Sequence, residues 1–147
     1  MATSLTFTGT LFTSGSTLTQ AAQTIPVTIA QGGSAGCRVY GISVVNTSTT
    51  ATGQFRLIYS SSASGGVGQE IGTVPVLASA GNTTVAATDI FGQSTVASVF
   101  QKQKDANGVP YFNMPAESVL QLRASGSGTT QMTTGGSLFI TCFGEFY

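Results

Sequence analysis

Residues 137–147, SLFITCFGEFY, set Leu138, Ile140, Cys142, Gly144 and Phe146 on one side of an extended chain. Phe139, Thr141, Phe143, Glu145 and Tyr147 fall on the other. Side chains alternate in direction along a strand, so large apolar residues on both sides describe a strand covered on both faces. Exposed apolar edges invite aggregation, and the stretch therefore reads as a central strand. Its far side is expected to lie under a second sheet, a loop or a neighbouring subunit. A fully buried Phe contributes about 1.5–3 kcal/mol, enough to hold such a segment still.

Outward from this stretch the same period of two recurs between clusters of turn residues, while helical periodicity is nearly absent. In SLTFTGTLF (4–12), Leu5, Phe7 and Leu11 share one side and threonines the other. TIPVTIA (24–30) places Ile25, Val27 and Ile29 together, and GCRVYGISVVN (36–46) is β-branched and two-sided. GQFRLIYS (53–60) sets Phe55, Leu57 and Tyr59 opposite Arg56 and Ile58. Further strands are expected in EIGTVPVL (70–77), NTTVAAT (82–88), STVASVFQ (94–101), VPYFNM (109–114) and SVLQLRA (118–124). Loops rich in Gly, Ser and Thr separate them. About eight to ten short strands spaced in this way predict an all-β fold, a single-domain antiparallel β-sandwich of jelly-roll type over 1–147 without significant helix. Residues 1–20 read in two ways. They are an ordinary first strand, or an extended arm that adds to a neighbour's sheet through Leu5, Phe7, Leu11 and Phe12, with the Thr/Ser/Gly stretch at its end as a hinge.

The chain has 147 residues, five Lys+Arg against five Asp+Glu, and only 7% charged residues. Ordinary soluble domains carry about 25%. A balanced charge argues against nucleic acid as a partner, because phosphate binding needs clustered cations. A surface of hydroxyls and small apolar groups carries little repulsion between copies, which suits a crowded assembly. No apolar run reaches the roughly 18–20 residues that span a membrane, and MATSLTFTGTLF lacks the basic and apolar regions of a secretory signal.

Catalytic chemistry is not expected. The chain contains no His, which removes the usual general base and the commonest metal ligand together. Glu70, Asp89, Asp105, Glu117 and Glu145 are scattered among different strands and loops. The glycine-rich loops lack the Lys-Ser/Thr of a phosphate loop. No cofactor or metal is expected. Lys102 and Lys104 beside Asp105 read as a solvated approach to a hairpin turn at Asn107-Gly108. Cys37 and Cys142 allow two readings. A bridge enclosing about 105 residues contributes roughly 4.7 kcal/mol in the chain-entropy model; two buried thiols acting as small apolar groups suit a reducing cytoplasm. Tyr40, Tyr59, Tyr111 and Phe112 are candidate exposed aromatics for a sugar-binding surface, which keeps a carbohydrate-binding or adhesin domain as the alternative function.

The segments GVPYFNMPAESVLQLRASGSGTT (108–130) and GGSLFITCFGEFY (135–147) resemble small structural proteins encoded in the virion gene clusters of tailed bacteriophages. In that pattern a turn and strand beginning Pro-Ala-Gly follow a short aromatic stretch, and the chain closes on a Phe-Gly-x-x-Tyr strand. Pro115 to Arg123 and Leu138 to Tyr147 carry the match, about a third of the chain, with Glu117 standing where the pattern has Gly. The resemblance implies a virion component assembled in the host cytoplasm, such as a capsid decoration protein or a fibre or tail accessory. The implied partners are other copies of the chain, a trimer by analogy with decoration proteins on three-fold positions, and the major capsid protein or other virion proteins.

Overall fold

The computed structural model describes residues 9–49, 53–62, 68–82, 84–90, 103–125, 132 and 135–147. They form the strands β1 (Thr10–Thr19), β2 (Val27–Gln31), β3 (Cys37–Asn46), β4 (Gly53–Ser60), β5 (Gln69–Val76), β6 (Thr88–Asp89), β7 (Gln103–Lys104), β8 (Pro110–Met114), β9 (Val119–Ala124) and β10 (Ser137–Phe146). One antiparallel sheet has the order β1-β10-β3-β8-β7, with β6 also pairing with β3; the other runs β2-β9-β4-β5. Among the described residues the only helix is a 3-10 turn at Gln20–Ala22. The all-β, two-layer architecture expected from the alternation is what the chain adopts.

β10 is central, hydrogen-bonded to β1 on one side and β3 on the other. Its inner residues Leu138, Ile140 and Cys142 join one core with Ile42 and Val44 of β3 and with Phe55, Leu57, Leu120 and Leu122 of the second sheet. On its other side neither the second sheet nor a loop among the described residues covers it: Phe139 and Phe143 are 48% and 46% exposed in the single chain. β3 likewise buries one side only, leaving Arg38, Tyr40, Ser43 and Val45 half-buried.

Departures from strict alternation trace to bulges, which insert one residue and re-aim those that follow. A register shift between Thr28 and Ala30 turns both Ile29 and Ala30 inward, while Ile25 lies outside the strand and is exposed. A second shift between Leu57 and Ile58 buries both of them. NTTVAAT is not a strand over most of its length. The Asn82 carboxamide oxygen accepts hydrogen bonds from Thr84 N (2.9 Å), Thr84 Oγ1 (3.0 Å) and Val85 N (3.2 Å), a local turn that competes with the sheet ladder. Only Thr88 and Asp89 pair with β3. The hairpin at Asn107-Gly108 forms as expected. Asp105 Oδ1 accepts from Asn107 N and Val109 N at 2.9 and 2.8 Å, and Gly108 has φ +79°. Glu117, where the resembling pattern has Gly, sits at φ +59°, the left-handed region that favours glycine.

The Thr/Ser/Gly stretch expected as a hinge is extended strand over Thr10–Thr19. Ser14-Gly15-Ser16 lies mid-strand in an unbroken register from Thr10 opposite Phe146 to Thr19 opposite Ser137. Residues 10–19 are thus a strand of the chain's own first sheet. Leu5, Phe7, Lys102 and the STVASVFQ segment lie outside the described residues.

The bridge between Cys37 and Cys142 does not form; both are free, buried thiols. The register explains why. Cys37 stands opposite Phe146 and Cys142 opposite Ile42, about four positions apart along β10, roughly 13 Å at ~3.3 Å per residue. A disulfide needs Cα atoms within about 7 Å.

Candidate interaction face

Alternation puts Leu11, Thr13, Gly15 and Thr17 of β1 on the outer side of the first sheet, beside Phe139, Thr141, Phe143, Glu145 and Tyr147. Leu11 is 79% exposed and Tyr147 48%. Glu145 is the only charge on β1 and β10. Phe143 lies across Gly41, its partner on β3: a β-carbon on Gly41 would overlap Cζ at the tip of the ring and lie 2.7 Å from Cε1 and Cε2. Glycine there lets the ring lie flat on the sheet.

Beyond Phe143 the register shifts, and Tyr40 has no partner on β10. The bulge gathers an aromatic cluster at this end of the sheet. The Arg38 guanidinium stands over the rings of Tyr111 and Tyr147, 4.9 and 5.3 Å from their centroids. Tyr40 meets Tyr111 edge to face at 6.1 Å. Hydroxyl donors tie the cluster together: Tyr40 to Glu145 Oε2 at 3.0 Å, Tyr111 to Gln103 Oε1 at 2.9 Å, and Tyr147 to Asn113 Oδ1. Gly9 N donates to Glu145 Oε1 at 2.6 Å, which fastens the start of β1 to the same carboxylate. Hydrogen bonds to Tyr147 and then Tyr40 raise the Arg38 pKa further, and its Nε is buried with no acceptor among the described residues. Burial first, then the hydrogen bond to Glu145, raises the Tyr40 pKa, while Arg38 opposes the shift.

The candidate aromatics from the sequence therefore divide. Tyr40 and Tyr111 come together on this face. Tyr59 and Phe112 meet edge to face at 6.4 Å and pack against the core instead. Of the candidate contact residues described, Leu11 is exposed and Phe12 stacks on Phe146 at 4.5 Å, against the core. Sequence reasoning did not single out Arg38 or Tyr147 as partners. Their alternation with Tyr40 and Phe143 was the available signal.

The opposite side of the sandwich is polar. Arg56 and Arg123 stand directly opposite each other, and Glu70 hydrogen-bonds both, Arg123 at 2.8 Å. Slight burial pushes the Glu70 carboxyl up, but the two guanidinium groups prevail and hold it below its ordinary value. An open depression of about 420 Å3 lined by Pro75, Leu77, Val85, Thr88 and Asp89 carries a single ionisable group. Among the described residues no group of His, Cys, Asp and Glu is placed to hold a metal ion, and no helix is long and apolar enough to cross a membrane. Burial pushes the thiols of Cys37 and Cys142 up to about 11 and about 12, which keeps them protonated and poor nucleophiles. No protein-family model, curated protein or solved structure matches the chain.

Proposed function

We propose that the chain is a non-enzymatic structural protein of a bacteriophage particle, decorating or stabilising its shell through repeated contacts between copies and with other virion proteins. The observation that carries this reading is the unequal chemistry of the two sides of the sandwich. One side holds its charges in an Arg56–Glu70–Arg123 network. The other presents Leu11, Phe139 and Phe143 at 79%, 48% and 46% exposure, with Glu145 as the one charge on their strands. Large apolar side chains exposed along one pair of strands, spaced by Thr13, Thr17 and Thr141, favour an interaction surface. Covering the exposed part of each ring is worth about 1 kcal/mol, and a lattice repeats that gain at every copy. Apolar contacts are also less salt-sensitive than ion pairs. The motif resemblance and the low charge point the same way.

The carbohydrate-binding alternative draws on the Tyr40–Tyr111–Tyr147 cluster with its amide and carboxylate neighbours. Arg38 stands over two of those rings, and Gln103, Asn113 and Glu145 already bond to tyrosine hydroxyls. A sugar platform needs an open ring face and unengaged polar groups, so the structural reading is preferred.

Quantitative mass spectrometry of purified particles made by the encoding genome tests the proposal. Hundreds of copies per particle support shell decoration. About a dozen place the chain at vertices, tail or fibres, and none overturns the virion reading.

A further inference from the structure

We propose that two copies of this chain join edge to edge through β1, antiparallel about a two-fold axis at Gly15, so that their first sheets become one continuous sheet. This deepens the proposed function and rests on its premise that the chain works through contacts between copies.

The edges of the two sheets are not equally guarded. β5 carries Pro75 and the charged Glu70. β2 has five residues and a bulge, and two of its carbonyls are already taken: Ser14 Oγ donates to Ile29 O at 3.3 Å and Ser16 Oγ to Thr28 O at 2.6 Å. β6 and β7 have two residues each. β1 is ten residues long, without Pro, charge or bulge, and among the described residues β10 is its only strand partner. Proteins protect edges with charges, prolines, bulges and short strands, and β1 has none of these.

The sequence of β1 names the strand that fits it. TLFTSGSTLT reads nearly the same in both directions about Gly15. Antiparallel self-pairing centred there sets Ser14 opposite Ser16, Thr13 opposite Thr17, Phe12 opposite Leu18 and Leu11 opposite Thr19. Directly opposed residues point to the same side of a sheet. The half-buried Phe12, Ser14 and Ser16 and the buried Leu18 then stay inward in both copies, and the exposed Leu11, Thr13, Gly15, Thr17 and Thr19 stay outward. Threonine and serine pairs facing across strands are favourable, and a two-fold contact is self-complementary by construction. Leu11 to Thr19 of each copy would exchange about eight to ten backbone hydrogen bonds. A β-carbon added at Gly15 meets nothing within 4 Å, so a side chain there reports on the axis without disturbing the chain's own packing.

The test uses the full-length chain. Opposed Cα atoms lie about 4.5–5.5 Å apart across an antiparallel pair, within disulfide range. Under mild oxidation G15C is expected to form a covalent dimer. L11C, also exposed but eight residues from its own copy along the pair, is expected not to. T13K/T17K places lysines opposite each other twice and is expected to weaken self-association by up to about 25-fold, each opposed pair being worth up to about fivefold. T13K/T17E carries the same burden with opposite charges facing, and is expected to associate like the unaltered chain. Equal cross-linking of G15C and L11C, or no effect of T13K/T17K on a chain that self-associates, overturns the β1 contact and leaves the copy-to-copy reading standing. A chain that stays monomeric across a concentration series in light scattering also overturns it, and the copy count per particle then judges the functional reading separately.

Discussion

Replacing Gly41 by Ala should change stability in opposite directions depending on what stands at position 143. Gly41 does not lie at positive φ, so its backbone accepts Ala. The added methyl must instead displace the Phe143 ring, which lies 2.7 Å from it at Cε1 and Cε2. Phe143 is about half buried, so a ring pushed off the sheet loses roughly 1 kcal/mol of the 1.5–3 kcal/mol that a fully buried Phe contributes. Against this, Gly to Ala stabilises by about 0.4–1 kcal/mol through a less flexible unfolded chain. The G41A variant is therefore expected between neutral and about 0.6 kcal/mol destabilised. In an F143A background the ring is absent, and the same change should stabilise by about 0.4–1 kcal/mol. Urea unfolding of the four proteins closes a double-mutant cycle with an expected coupling near 1 kcal/mol. Additivity within about 0.3 kcal/mol would show that Phe143 does not rest on Gly41, and would remove the reason for that glycine.

Gly144 offers the contrasting case. A β-carbon there overlaps the backbone oxygen of Arg38 and lies 2.7 Å from Phe12 Cζ, and backbone cannot swing aside, so G144A should cost about 3 kcal/mol or more in the same urea assay. E117G should stabilise by about 1 kcal/mol, because Glu117 sits at φ +59°, where a β-carbon is strained; unchanged or lowered stability refutes this. Cys37 and Cys142 should resist a thiol-specific chromogenic reagent at pH 8 in the folded chain and react together on unfolding, since burial pushes both thiols up, to about 11 and about 12. Glu70 is held below its ordinary value of 4.5, so its contribution is present above that value and lost as pH falls through the lowered one. Being exposed, the network should contribute little and fade with salt. An E70Q variant should accordingly flatten part of the stability loss below pH 4.5, seen in melts at low ionic strength.

Much of the fold is legible because the alternation in β3, β4, β9 and β10 is long and bounded by turn chemistry. Bulges are not, because an inserted residue is defined by the partner strand; nothing local in Leu57-Ile58 says that both point inward. Asn82 shows the same limit, its side chain closing a turn inside a segment with strand composition. For the interaction face, alternation grouped Phe139, Phe143 and Tyr147 and called for cover over them, without saying whether a sheet, a loop or a neighbouring copy supplies it. The aromatic cluster draws Arg38, Tyr40, Tyr111 and Tyr147 from β3, β8 and the end of β10, and the Tyr40–Glu145 bond spans 105 positions. Contacts at that separation leave no trace in a local pattern.

The central claim is that the outer face of β1 and β10 is covered in the particle while the Arg56–Glu70–Arg123 side is not. Hydroxyl-radical footprinting of the assembled particle against the isolated chain measures this residue by residue. Protection of Leu11, Phe139 and Phe143 on assembly, with Arg56 and Arg123 labelled equally in both states, is the predicted result. Equal labelling of the three apolar residues in both states, or protection confined to the arginine side, would contradict the account.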